Sequence, residues 1–158
     1  MTYTTNQPIM GASLGDPAKI AAWAKARGCA RPADVAEYLE TLYRLCRSTG
    51  LAAHVLVAQS AHETADPDTG IPWASSWWSQ RLNPAGIGIT GDTAQNAASR
   101  TFADGAAAAR AHVLHMYLYA VGTDVPTGLA KSDDPRWQAA VDAGYAGIAD
   151  KIADLTNR

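Results

Sequence analysis

The strongest constraint on the fold is an apolar, alanine-rich run from Leu51 to about Ala65, followed directly by Asp66-Pro67. If this run is helical, its hydrophobic side chains lie on nearly every side of the helix, a pattern typical of a helix surrounded by other elements. The proline that follows lacks a backbone N–H and stops the helix. The sequence therefore predicts a buried central helix around which the rest of the chain packs.

Several other segments have the signals of helices that could pack against this central one. Asp16 and Asp134 each precede a proline, which predicts an N-cap followed by proline at the first helical position. Elsewhere apolar residues recur at steps of three and four, the stripe of a half-buried helix. The expected helices run from Pro17 to Gly28, from Pro32 to Thr49, from about Asp104 to Ala120 and, as one or two helices, from Pro135 to Leu155.

The stretch from Asp66 to about Thr101 breaks this helical pattern. It reads "DPDTGIPWASSWWSQRLNPAGIGITGD" near its start, crowding proline, glycine, serine and tryptophan together. A long irregular segment inside a domain is usually functional. Within it, "GIGIT" predicts a short strand or a tight turn. At 158 residues the chain fits one domain, residues 1–158, with a mainly α fold and a small irregular or β lobe.

Charge and hydropathy argue against two classes of partner. The formal net charge is −2, and no basic stripe of the kind that binds nucleic acid is present. Nothing suggests attraction to an anionic membrane, and no apolar run approaches the roughly 20 residues needed to span a bilayer. The N-terminus lacks the charged segment followed by an apolar segment that is typical of a secretory signal. This predicts synthesis in the cytoplasm without export by that route.

The two cysteines, Cys29 and Cys46, are too few for a disulfide scaffold or a structural zinc site. Both fall in predicted helical regions, and we expect buried free thiols. The histidines His62, His112 and His115 raise a zinc alternative, but "HET" is not the H-E-x-x-H motif. No cofactor or metal is expected.

Glu63 is the residue most suggestive of chemistry. The central helix places Gln59 and Glu63 on one flank, with the carboxyl at the C-terminal end beside the irregular segment. Partial burial and the negative end of the helix would both raise the pKa of this carboxyl. A glutamate that keeps its proton near neutral pH can act as a general acid. The alternative is a solvated residue paired with Arg81 or another cation.

Three blocks in order strengthen the first interpretation. "AQSAHET" is followed by "NPAGIGITG" and then by an alanine-rich helix with histidines, "TFADGAAAARAHVLHMYLYA". Together they resemble the glucosaminidase family of peptidoglycan hydrolases, which belongs to the lysozyme-like superfamily. The resemblance covers about Val55 to Ala120, and a looser similarity extends from "PIMG" into the C-terminal tail. It implies a helical lobe beside a small variable β lobe, with a cleft for peptidoglycan glycan strands between them.

The resemblance implies that Glu63 is the general acid of an endo-β-N-acetylglucosaminidase. Glycosidases usually pair two carboxylates, and Asp92, just after the glycine turn, is the best-placed second group. Its alternative role is that of a turn-forming residue. A substrate acetamido group acting as nucleophile, or a lytic mechanism in which a sugar hydroxyl attacks, also remains open.

Four residues are candidates for substrate binding. Exposed tryptophans in a loop suit stacking on sugar rings, so we expect Trp77 or Trp78 to lie near the cleft while another tryptophan fills the core. Asn83 either orients the glycine turn or bonds an N-acetyl group. His112 lies about where many relatives have a tyrosine, and it either faces the cleft or is a satisfied core histidine.

These observations together predict a monomeric phage endolysin domain, made in the host cytoplasm and acting on the cell wall after release. The tail ends in a helical pattern without a stop, so a C-terminal truncation and a missing wall-binding module are expected. Rivals on the same substrate are a lytic transglycosylase and a muramidase. Rivals of other classes are a non-catalytic glycan-binding domain and a wall peptidase.

Overall fold

The computed structural model describes residues 6–88 and 101–155, and the fold across these residues is mainly α-helical. No β-strand occurs within them; the β-type pairing consists of two isolated bridges, Pro8 with Lys151 and Met10 with Leu51. The helices are α1 (Pro17–Ala26), α2 (Pro32–Thr49), α3 (Ala53–Glu63), α4 (Ser76–Ser79), α5 (Gly105–Ala120) and α6 (Trp137–Asp142), with 3₁₀ turns at Lys131–Asp133 and Ile152–Leu155.

Local signals fix most helix ends where the sequence predicts them. The Asp16 side chain caps α1 by accepting hydrogen bonds from the N–H groups of Ala18 and Lys19, at 2.9 and 3.3 Å. Gly50 ends α2 in the left-handed conformation, with φ 77°, which glycine adopts without steric cost. The prediction of both helices is confirmed.

The predicted N-cap at Asp134 is wrong. Helix α6 begins only at Trp137, after Arg136. One carboxylate oxygen of Asp134 accepts from the backbone N–H of Arg136 at 2.8 Å, and the other contacts His115 on α5. The aspartate therefore joins this loop to α5, a long-range role that the local Asp-Pro signal does not reveal.

The most extensive helix pairing joins α2 and α5. Gly105, the first residue of α5, lies directly against the backbone of α2. A Cβ at this position would collide with the carbonyl oxygen of Asp34 and approach the backbone nitrogen of Tyr38 to 2.8 Å. The glycine thus permits the close approach of the two helices on which the core is built.

Helix α3 lies in the interior, as the apolar run predicts. Val55 and Leu56 are fully buried within the main hydrophobic cluster. The N-terminal segment packs beside the start of α3, because the N–H of Ala52 donates to the carbonyl of Ile9 at 2.8 Å, while the N–H of Ile9 donates to Asp150 at 2.9 Å. These contacts hold both ends of the described chain against the core.

Two further expectations concern cysteines and membranes. Cys29 and Cys46 are buried free thiols, as predicted, and burial raises the pKa of both. No helix within residues 6–88 or 101–155 is both long and apolar enough to cross a membrane.

Candidate active site

A cavity of about 250 Å³ opens at the C-terminal end of α3. Its walls come from α3, the glycine turn, α5 and the C-terminal segment, so four separate parts of the chain converge there. The lining residues are Gln59, Glu63, Ala85, Gly86, Ile87, His115, Met116, Tyr119, Arg136 and Leu155. The convergence of titratable side chains in one concavity makes this the candidate active site.

Glu63 is the last residue of α3 and lines this cavity. Its side chain is exposed along part of its surface, as access to a ligand requires, yet the protein around the carboxyl removes much of its water. This desolvation raises the pKa of Glu63, whereas a hydrogen bond from Gln59 and the charges of His62 and His115 lower it. Desolvation dominates, so the carboxyl is biased towards its protonated form.

A chain of hydrogen bonds runs from the core to Glu63. Gln59 Nε2 donates to Glu63 Oε1 at 2.9 Å, which leaves Gln59 Oε1 to accept from His112 Nε2 at 3.2 Å. His112 Nδ1 must then accept from the Tyr38 hydroxyl, 2.7 Å away. With the Gln59 amide in this orientation and His112 as a neutral imidazole, each group has a matching donor or acceptor, and His112 positions Gln59.

The buried position of His112 is consistent with this assignment. The residue is fully buried, and desolvation together with the charge of His115 lowers its pKa to about 3. The expectation that His112 faces the cleft as a substrate-binding residue is wrong, because no part of it reaches the cavity; it is the satisfied core histidine of the alternative. Its influence on the site passes through Gln59.

The tryptophans of the irregular segment are mainly structural. Trp78 is fully buried, donates from Nε1 to Ala30 O at 3.2 Å and meets the Tyr38 ring edge-on. The prediction that Trp78 binds sugar is therefore wrong, since neither ring face is accessible. Trp73 is also fully buried and donates to Ser60 Oγ at 2.9 Å. Trp77 is half-buried beneath the Arg81 guanidinium, 4.5 Å from its ring centroid, outside the cavity lining.

Asn83 organises the turn that forms one wall of the cavity. It is fully buried, its Nδ2 donates to Ile87 O and its Oδ1 accepts from Ile87 N, both at 2.9 Å. Gly86 and Gly88 have φ 58° and 85°, the left-handed region that favours glycine. Residues 83–88 form a turn and not a strand, and of the two roles predicted for Asn83 these contacts match that of orienting the turn.

The part of the cavity wall formed by α5 contains residues that the sequence pattern does not assign to the site. His115 Nδ1 lies 2.8 Å from Asp134 Oδ2, and the Asp134 side chain is fully buried. Tyr119, one turn further along α5, meets the His115 ring edge-on at 4.8 Å. With Nδ1 bound to the carboxylate, His115 has Nε2 left for a ligand or a water in the cavity.

Two further predictions concern Asp92 and a zinc site. Asp92, the predicted second catalytic group, lies outside the described residues. Of the three histidines behind the zinc alternative, His112 is in the core and His115 is bound to Asp134. Across the described parts of the chain, no three His, Cys, Asp or Glu side chains are grouped as a metal site.

A scan against protein-family models, a search of curated proteins and a search of solved structures each find no match to this chain.

Proposed function

We propose that this protein is a lysozyme-like hydrolase that cleaves the glycan strands of peptidoglycan, with Glu63 as the general acid. The observation that carries the proposal is the Glu63 carboxyl, biased towards its protonated form by desolvation, in a cavity beside a glycine turn. The blocks "AQSAHET" and "NPAGIGITG", which resemble the glucosaminidase family, supply two of the cavity walls. We favour the N-acetylglucosaminidase type and a role as a phage endolysin.

In the proposed reaction, Gln59 determines which carboxyl oxygen of Glu63 carries the proton. Because Oε1 accepts the hydrogen bond from Gln59 Nε2, Oε2 is the oxygen left to hold the proton. That proton passes to the glycosidic oxygen as its bond to the anomeric carbon breaks, so the leaving sugar departs as a neutral alcohol.

The incoming water needs a base, and His115 is suited to that role. Asp134 accepts from Nδ1–H, which leaves Nε2 as the acceptor that takes a proton from the water while its oxygen bonds to the anomeric carbon. A buried carboxylate that orients a histidine in this way is a recurring device in hydrolases. Asp92 remains the predicted alternative for this second group.

Replacing His115 with glutamine should lower kcat roughly 10²-fold, the smaller end of the usual contribution of a general base. KM should change little, because the water and not the sugar is the group affected. His62→Gln is the matched control, since His62 is exposed on α3. Steady-state release of reducing ends from peptidoglycan gives both constants, and an unchanged kcat in His115→Gln would remove His115 from the reaction.

Mass spectrometry of digested peptidoglycan tests the proposed function itself. With the reducing ends labelled, hydrolysis by an N-acetylglucosaminidase gives new N-acetylglucosamine ends and products heavier by one water. New muramic acid ends would indicate a muramidase, and anhydro products lacking that water would indicate a lytic transglycosylase. Intact strands together with retained glycan binding would support the non-catalytic binding domain, whereas cut peptides would support a peptidase.

A further inference from the structure

Arg136 is the charged residue of the cavity that the proposed reaction does not use. It lines the same cavity as Glu63, and its Nε atom is buried without a hydrogen-bond partner. An unsatisfied buried donor costs about 1–3 kcal/mol, and a guanidinium stays charged throughout the physiological pH range. Arg136 therefore brings to the cavity a positive charge whose donors are not fully used.

Four other arginines have a partner for the guanidinium, whereas Arg44 and Arg47 lack one among the described residues but are exposed to solvent on α2. Arg31 and Arg110 form ion pairs with Asp34 and Asp133, at 3.0 and 3.3 Å. Arg27 and Arg81 lie over tryptophan rings, at 5.5 and 4.5 Å from the centroids. Within residues 6–88 and 101–155, the guanidinium of Arg136 has neither kind of partner.

The nearest acidic group along the chain is already committed to other donors. Asp134 Oδ2 contacts His115 Nδ1 and Asp134 Oδ1 accepts from the backbone N–H of Arg136, both at 2.8 Å. The two residues form no ion pair through the guanidinium. Arg136 acts instead on Tyr119, where its charge lowers a phenol pKa that burial raises. Both residues line the cavity.

We propose that Arg136 binds a carboxylate of the substrate, so that the cavity selects an N-acetylated glycan that carries acidic groups over a neutral one. The inference rests on the proposed function and specifies its substrate. The charged groups around such a ligand are Arg136, the His115–Asp134 pair and Glu63. Because desolvation raises the pKa of Glu63, this carboxyl repels an incoming carboxylate less than an ordinary glutamate would.

Two sources can supply the carboxylate: the lactyl group of muramic acid and the peptide attached to it. The lactyl carboxylate is free in strands from which the peptide has been removed, whereas in intact strands it is amide-linked and only peptide carboxylates remain. Comparing the two kinds of strand identifies the source, and a neutral chitooligosaccharide of equal length measures the contribution of the sugar rings alone.

Calorimetric titration of the full chain with these three ligands tests the proposal. The Glu63→Gln background prevents turnover, and the added substitution is Arg136→Gln. Affinity for at least one carboxylate-bearing strand should fall roughly ten- to a hundredfold, as expected for loss of a charge-assisted hydrogen bond, while affinity for the chitooligosaccharide stays the same. Arg44→Gln, on the exposed face of α2, is the matched control and should change neither affinity.

Several outcomes would overturn the proposal. Equal losses of affinity for the neutral and acidic ligands would show that Arg136 only supports the cavity wall. A lower melting temperature of both Arg136→Gln and Arg136→Lys would indicate the same structural role. Unchanged affinity for both acidic ligands would exclude carboxylate binding by Arg136. The proposed function would stay intact in that case if the parent chain still cuts peptidoglycan. If the parent chain neither binds nor cuts any glycan, the proposed function fails and this inference fails with it.

Discussion

The Glu63→Gln variant should fold normally, bind glycan and cleave it roughly 10²–10⁴-fold more slowly than the parent protein, the usual contribution of a general acid. Glutamine has nearly the same shape, and its side chain can still receive the hydrogen bond that Gln59 donates. It cannot release a proton to a leaving oxygen. The effect should fall on kcat with KM nearly unchanged, because the substitution removes an interaction made in the transition state.

The control for this variant is Glu37→Gln, which makes the same change on the exposed face of α2. Release of reducing ends from purified peptidoglycan and a glycan-binding titration should be measured on all three proteins. Loss of cleavage with retained binding is the expected pair of results. Wild-type cleavage by Glu63→Gln would eliminate the proposed mechanism, and loss of folding would be visible by circular dichroism.

The Gly105→Ala variant should be destabilised by about 3 kcal/mol, at the upper end of the usual cost of overpacking. Helix propensity alone predicts the opposite, because alanine is favoured over glycine within a helix by up to about 1 kcal/mol. The added methyl would meet the backbone of α2 at Asp34 and Tyr38, and backbone atoms cannot rotate away as a side chain can. A loss of stability in Gly105→Ala would therefore show that the packing clash outweighs the gain in helix propensity, and a gain would show the reverse.

Chemical denaturation and thermal melting measure this change, with a fall in Tm of roughly 6–12 °C expected for a chain of this size. Gly70→Ala is the control: it adds the same methyl in open space at φ 67°, where left-handed strain costs roughly 1–2 kcal/mol. A Gly105→Ala variant as stable as the parent protein would contradict the close approach of α2 and α5.

The parts of the fold that the sequence predicts correctly depend on local signals. Proline at a first helical turn, glycine at a helix end and apolar spacing of three and four residues locate α1, α2 and α5 because each acts within a few residues. The glycine turn at 83–88 is likewise encoded nearby, by Asn83 and two glycines. The start of α6 was misplaced because Asp134 pairs with His115, 19 residues away.

The candidate site is predictable only in part for the same reason. Glu63 stands out because a single acid ends an apolar helix. Whether Trp78 and His112 face solvent or the core depends on α2, whose Tyr38 contacts both, and no local pattern encodes that. The contribution of Arg136 to the cavity arises from tertiary packing, and a lone arginine before a short helix gives no signal of it.

The most direct test of the central claim is the titration of Glu63 by carbon-13 NMR in the full chain. The sequence contains three glutamates, Glu37, Glu40 and Glu63, so selective labelling gives three carboxyl signals, and the one lost in Glu63→Gln is assigned. The pKa of Glu63 should lie above the ordinary value of about 4.3, because desolvation outweighs the hydrogen bond from Gln59. It should rise further in Gln59→Met, which removes that hydrogen bond, and the alkaline limb of kcat/KM should move to higher pH with it. A Glu63 pKa at or below the ordinary value would show that the site does not favour the protonated carboxyl, which contradicts its role as the general acid.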